Sequence, residues 1–207
     1  MSDRDAAGSR RDQIVEATLR VIGARGADAV THRAVAAEAG VSLALTTYYF
    51  DSKQALVAEA LERVIERSIE TVRRHTDATG RIEPEQLVGR LTALTVAQLE
   101  DESAPLVAQY ELMLEAARDE SLRALAERWS EAYDGSLVDL VRATGLADPE
   151  LGAGILSAVI EGALLDHIAL PRPGFVETRL RPMIERAVAG LAATPSARQP
   201  RERAARA

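Results

Sequence analysis

The chain contains no cysteine. That excludes a disulfide framework, a thiolate metal site and a cysteine nucleophile together. Aromatic residues make up only 3% of the 207 residues, and Lys53 is the single lysine among 25 basic side chains. Low-complexity segments and internal repeats are absent. The most apolar window, Leu151 to Leu170, holds Glu161, Asp166 and His167, whose charge would be costly at mid-bilayer. It therefore reads as a buried helix, with no membrane partner expected. Met1 to Arg11 has no apolar h-region, so no signal peptide is predicted and the expected location is the cytoplasm. The three histidines, His32, His75 and His167, are scattered, which leaves no metal-binding spacing. No Ser-His-Asp order, Gly-rich phosphate loop or paired-carboxylate motif stands out. The sequence thus predicts no metal, no cofactor and no catalytic residue.

What is present suits a folded chain. Hydrophobic residues make up 47% and charged residues 28%, which excludes disorder of the whole chain. The formal net charge is −7, unpromising for a nucleic-acid binder, but it is unevenly spread. Residues 1–60 carry 7 basic and 8 acidic side chains, residues 61–197 carry 14 and 23, and residues 198–207 carry 4 and 1. The acidity lies in the long middle, and a DNA contact needs a local positive footprint rather than a basic protein.

Almost every segment has helical period, and no β-type alternation appears. Ile14, Ala17, Thr18, Val21 and Ile22 form one face of a first helix closed by Gly26. A short second helix begins at Thr31, and a third spans Leu43 to Phe50 with Ser42 as its cap. A fourth opens at Asp51-Ser-Lys-Gln54, with Asp51 and Gln54 spaced as a capping box. The sixth is expected to start at Ser103 with Pro105 in its first turn, and to turn Leu106, Tyr110, Met113, Leu114 and Ala117 to one face. An eighth starts at Asp148-Pro149, and a ninth covers Phe175 to Leu191 with Pro182 kinking it or marking its true start. The predicted fold is all-α, a three-helix head on an antiparallel helical body of about nine helices in all. Expected boundaries are 1–55 for the head, 56–194 for the body and 195–207 for a disordered basic tail.

The informative stretch is Thr31-His-Arg-Ala-Val-Ala-Ala-Glu-Ala-Gly-Val-Ser-Leu-Ala-Leu-Thr-Thr-Tyr-Tyr-Phe50. Two short helices around one glycine fit a helix-turn-helix. Ala36 is small where the second helix crosses, Gly40 permits a left-handed turn, and Val35, Ala39 and Val41 supply the buried side. The third helix is short and uncharged, and it is expected to expose Leu45, Thr46 and Thr47 beside Tyr48 and Tyr49, groups able to meet phosphates, base edges or thymine methyls. Lys53 falls in the first turn of the next helix, where a cation is mildly unfavourable unless an anion joins it.

The first 55 or so residues resemble the DNA-binding domain of the TetR family of bacterial transcriptional repressors. The resemblance is carried by Ile14-Val-Glu-Ala-Thr-Leu, Gly26, Thr31 to Ser42, Thr47-Tyr-Tyr-Phe and Ser52-Lys-Gln-Ala-Leu56. It implies that Arg33 contacts a base or phosphate, that Tyr48 and Tyr49 are aromatic phosphate contacts, and that Lys53 is the phosphate-binding lysine. The full expected DNA surface is Thr31, His32, Arg33, Ser42, Leu43, Ala44, Leu45, Thr46, Thr47, Tyr48, Tyr49 and Lys53. Leu43 and Ala44 depart from the family's usual polar residue and glycine, which shifts the expected specificity toward shape and methyl contacts.

The resemblance also implies a pocket for a small effector among the fourth to seventh helices, and a homodimer through the eighth and ninth. Leu151, Ile155, Leu156, Val159, Ile160, Leu164 and Leu165 make the eighth helix apolar on most of its circumference, so that it needs cover on both sides. Gly152, Gly154, Ala158 and Gly162 would let a second helix approach. Candidate effector contacts are Tyr110, Glu111, Met113, Trp129, Asp166 and His167. The expected function is a ligand-responsive repressor, not an enzyme, that binds a pseudo-palindromic double-stranded operator as a homodimer and is released by an effector. The competing reading is an all-α small-molecule binding or catalytic protein whose head binds another protein; the linked head motif argues against it.

Overall fold

The computed structural model describes residues 3–77, 80–100 and 106–193, with side chains from residue 9 onward. Every regular element among them is helical: α1 (Asp3–Arg25), α2 (His32–Ala39), α3 (Leu43–Tyr49), α4 (Lys53–Thr76), α5 (Pro84–Glu100), α6 (Leu106–Ala116), α7 (Glu120–Thr144), α8 (Pro149–Ala169) and α9 (Arg181–Ala193). A 3-10 turn, Ala27–Ala29, follows α1, and a π-helical turn, Val176–Leu180, precedes α9. The all-α expectation holds. The expected helix start at Ser103 and Pro105 and the tail 195–207 lie outside the described residues.

The chain packs as two compact units. One runs up to Thr71 and includes Ala97–Ala132; the other takes Val72–Val96 and the chain from Tyr133. In the first unit the predicted face of α1, Ile14, Ala17, Thr18, Val21 and Ile22, is at most 1% exposed. Each Ile or Val so buried contributes about 1.5–3 kcal/mol. The buried Thr18 hydroxyl donates to Ile14 O at 2.9 Å, so no polar atom of it is stranded. Leu56, Leu61 and Ile65 of α4 and Leu112 of α6 join the same core.

Ion pairs tie α4 to α1. Arg63 reaches Asp12 and Glu16, Arg67 holds Glu16 with both nitrogens, and Arg11 forks onto Glu59. The hydrogen bonds to Glu59 and Asp12 push the Arg11 and Arg63 guanidiniums still further from deprotonation.

Two local expectations need correction. The capping box at Asp51 and Gln54 does not form: Ser52 Oγ accepts from Ala55 N at 3.1 Å and caps α4 one residue later. A serine hydroxyl there satisfies the orphan donor on its own. The buried face of α6 is also rotated from the expected stripe. Leu106, Ala108, Leu112 and Ala116 are buried, while Leu114 is 54% exposed. α6 packs closely on α1, and its inner face pairs the small Ala108 and Ala116, which suit a close helix crossing, with the large Leu106 and Leu112.

In the second unit α8 buries Gly152, Ala153, Leu156, Ile160, Ala163 and Leu164. Its start follows the sequence: Pro149 occupies the first turn, and Asp148 in the left-handed region (φ 52°) accepts from Leu151 N at 3.2 Å. Pro182 explains the turn before α9. Its missing N–H and its ring disrupt the regular four-residue ladder, and the widened turn, in which Arg181 N donates to Val176 O, absorbs the mismatch. α8 is the one described helix long and apolar enough to cross a membrane, and only a third of its most apolar window is buried.

Candidate nucleic-acid interface

The helix-turn-helix is built by local chemistry that the sequence announces. Thr31 in extended conformation accepts from Ala34 N at 3.0 Å and starts α2. Gly40 ends it in the left-handed region (φ 65°, ψ 32°), with Val41 N returning to Ala36 O at 3.0 Å. Ser42 then accepts from Leu45 N at 3.2 Å and starts α3. Val35, Ala36 and Ala39 are buried beneath the turn. Gln13 Nε2 donates to Ala39 O at 2.7 Å and Arg20 pairs with Glu38 at 2.7 Å, so α1 fixes α2 from below. Arg11 lies 5.2 Å from the centre of the Phe50 ring, a cation–π contact at the end of α3.

This frame decides which α3 side chains face outward. Ser42, Leu43, Ala44, Thr47 and Tyr48 are exposed, with Leu43 at 49% and Tyr48 at 78%. Thr46 is fully buried and its hydroxyl donates to Leu43 O at 2.8 Å, so its expected place on the DNA surface is not the one it occupies. Leu45 and Tyr49 are half-buried against the core. The reason is periodicity in a helix of only two turns: positions 46 and 50 face the core together, and 42, 43, 44, 47 and 48 are left outside. The two apolar residues that depart from the family pattern, Leu43 and Ala44, are therefore part of the exposed face. Thr47 donates to Ala44 O at 3.1 Å, which leaves its oxygen as an acceptor and its methyl free to touch a partner. Tyr48 and Tyr49 meet edge to face with centroids 5.1 Å apart.

Of the other expected DNA contacts, Thr31 and Arg33 are exposed on the first turn of α2. His32 is half-buried, and its Nδ1 has no hydrogen-bond partner among the described residues. Lys53 stands in the first turn of α4 with its side chain 38% exposed.

The candidate effector residues are divided between the two units. Tyr110, Glu111, Met113 and Trp129 are half-buried in the first unit. Trp129 Nε1 donates to Ser68 Oγ at 2.9 Å, and a carboxylate oxygen of Glu111 lies 3.5 Å from where a Cβ on Gly26 would stand. Asp166 and His167 belong to the second unit. There Asp166 Oδ2 forms ion pairs with Arg179 and Arg172 at 3.3 and 3.5 Å. His167 stacks on Phe175 with centroids 4.0 Å apart and its Nδ1 accepts from Arg172 N at 3.4 Å. Both tie the end of α8 to the connection leading to α9.

Sequence reasoning missed two features of the second unit. A cavity of about 510 Å³ is lined by Arg73, Thr76, Asp77, Ser136 and Asp139. Glu161 is pushed above the usual carboxylate range, chiefly by burial and further by Asp134, against a hydrogen bond from Ser157. Neither has a local sequence signature, since both arise from residues on different helices. Among the described residues no group of three or more His, Asp or Glu is placed to hold a metal.

Comparison with known proteins bears directly on this geometry. Residues 14–60 match the family described as bacterial regulatory proteins, tetR family, and residues 82–194 match the tetracyclin repressor-like C-terminal domain. The HTH-type transcriptional regulator BetI of Agrobacterium fabrum is 32% identical over 164 residues, covering 76% of each chain. A TetR-family member from Streptomyces coelicolor A3 superposes with a TM-score of 0.66 at 30% identity, over 88% of this chain and 97% of that one. The multidrug binding protein EbrR, complexed with ethidium, gives 0.64 at 30% identity, over 88% and 98%. Head motif, helix order and both matched regions agree: the chain belongs to the TetR family and is a DNA-binding transcriptional regulator.

Proposed function

We propose that two copies of this chain, joined through α8 and α9, act as a repressor that grips a pseudo-palindromic operator and lets go when a small effector binds the body. The observation that carries the reading is the outward face of α3, with Leu43, Ala44, Thr47 and Tyr48 exposed next to Arg33 on α2 and Lys53 on α4. A helix of this width fits a major groove, where Lys53 and the tyrosines would reach phosphates and fix register. Residues 1–55 serve as the reading head and 56–194 as the responding body.

Support for the dimer comes from the outer face of α8. Leu151, Gly154, Ile155, Ala158, Gly162 and Leu165 recur at helical spacing and are all exposed, Leu151 at 59% and Leu165 at 55%. A Cβ added at Gly154 or Gly162 would meet nothing within 4 Å, so a second helix could approach there. Gly152 faces inward, 3.1 Å from Val141 Cγ1 at its Cβ position, and belongs to the subunit's own packing rather than to the expected interface. On α9, Arg186, Ala189 and Ala193 are exposed as well.

An effector can release DNA only by binding the DNA-incompetent state more tightly. It would do so by changing the separation of two heads that must otherwise match successive major grooves about 34 Å apart. EbrR, a relative solved with ethidium, supports a body that accepts small organic molecules. A gel shift of the purified protein with the DNA flanking its own gene tests the reading. One complex at two chains per duplex is expected; folded protein that shifts no fragment of that DNA contradicts it.

A further inference from the structure

Lys53 has a company that a phosphate-binding lysine does not need. Its Nζ lies 3.5 Å from both Oδ1 and the backbone oxygen of Asp28, a residue 25 positions earlier in the 3-10 turn. The Asp28 carboxylate is fully exposed, and Lys53 is its only ion-pair partner among the described residues. Its place is set by the turn and not by the lysine. Gly26 enters the turn at φ 80°, Ala29 N and Val30 N close it onto Gly26 O and Ala27 O at 3.2 Å, and Ala27 and Val30 on either side are buried.

We propose that Asp28 is an intramolecular counter-ion of Lys53 that a DNA phosphate has to displace, so that the 3-10 turn limits how tightly the head holds DNA. The inference rests on the reading that Lys53 meets a phosphate. Carboxylate and phosphate oxygens are acceptors of the same kind for an ammonium, and lysine, a single point charge on a flexible stem, can exchange one for the other. What the exchange costs is the strength of an exposed ion pair, which corresponds to about a two- to fivefold change in affinity per head. The cost is the same whatever the base sequence. Asp28 therefore lowers specific and non-specific binding together and does not alter which operator is chosen.

Removing an acid near DNA raises affinity for a general reason too, so a double-mutant cycle is required. Fluorescence anisotropy with a labelled random-sequence duplex would compare the unmodified protein, Asp28→Asn, Lys53→Met and the pair, with thermal melts confirming that each is folded. Asp28→Asn is expected to tighten binding, and its gain with Lys53 present should exceed its gain in Lys53→Met by about two- to fivefold per head. Equal gains in the two backgrounds would reduce Asp28 to one more surface charge and overturn the proposal. Weaker binding by Asp28→Asn would overturn it as well, by showing that Asp28 orients the lysine for DNA. Lys53→Met without effect on binding would remove the phosphate contact itself, a failure distinct from that of the cycle.

Discussion

α3 and α8 both turn apolar side chains to solvent, and the groups around each face differ in the way the two proposed roles require. On α3 the exposed Leu43 and Tyr48 alternate with hydroxyls at Ser42 and Thr47, and Arg33 and Lys53 stand on adjoining helices. On α8 the exposed stripe from Leu151 to Leu165 contains only leucine, isoleucine, alanine and glycine. Hydroxyls, aromatic edges and nearby cations suit a groove walled by phosphates. Large and small apolar residues in alternation suit another helix at close range. Exposed hydrophobicity alone does not distinguish a DNA surface from a protein surface; the polar groups around it do.

Among substitutions on the two faces, the largest effect belongs to α8. Gly162→Arg should yield monomers by light scattering and weaken operator binding by about a hundredfold or more, since two linked heads bind far better than one. Gly152→Leu, on the opposite face, should leave the dimer intact and cost about 1–3 kcal/mol of stability in denaturant melts, because its side chain would be forced onto Val141. On the DNA side, Lys53→Ala should weaken binding to all sequences alike and lower the salt slope by up to about one per subunit.

The two threonines of α3, one buried and one exposed, are expected to respond in opposite ways. Thr46→Ala is expected to cost about 1–2 kcal/mol of stability with little change in DNA affinity at temperatures where it is folded, since it removes a buried group. Thr47→Ala should do the reverse, lowering operator affinity by about three- to tenfold without changing the melt.

The smallest effect concerns Glu161. Its folded-state pKa is raised, so the folded protein binds the proton more readily than the unfolded chain, and the charged form is penalised at neutral pH. Glu161→Gln should therefore raise Tm slightly at pH 7. The gain should shrink as pH falls through the raised value and vanish below the ordinary carboxylate range.

The head was legible because its signals are local. Thr31, Gly40 and Ser42 each act on the backbone within four residues, and the structure uses all three as the sequence suggests. The first face of α1 was legible because its period is unbroken. What failed was orientation in short or doubly apolar helices. In α3, one residue of phase separates the buried Thr46 from the exposed Thr47, and composition does not set that phase. In α6, Ala108 and Ala116 are buried beside Leu106 and Leu112, while Leu114 of the expected stripe is exposed. In α8, Gly152 and Gly154 look alike in sequence, yet one is 3.1 Å from a neighbouring side chain at its Cβ position and the other is open. The ion pair between Asp28 and Lys53 spans 25 residues, beyond the reach of any local pattern.

On the proposed reading, α3 recognises its operator through the groups it exposes. Between Ser42 and Phe50 there is no Arg, Lys, Asn or Gln, so bidentate pairs to guanine or adenine cannot come from this helix. The same reading leaves the exposed Leu43, Ala44 and Thr47 methyl to meet thymine methyls, with the exposed Arg33 of α2 able to make a bidentate contact. The most direct measurement is a binding titration on the flanking operator with thymine replaced by uracil across both half-sites, which removes the methyls and keeps the pairing. Several-fold weaker binding to the uracil duplex is expected; equal affinity for the two duplexes would overturn methyl reading by α3 and leave Arg33 and backbone shape to carry the specificity.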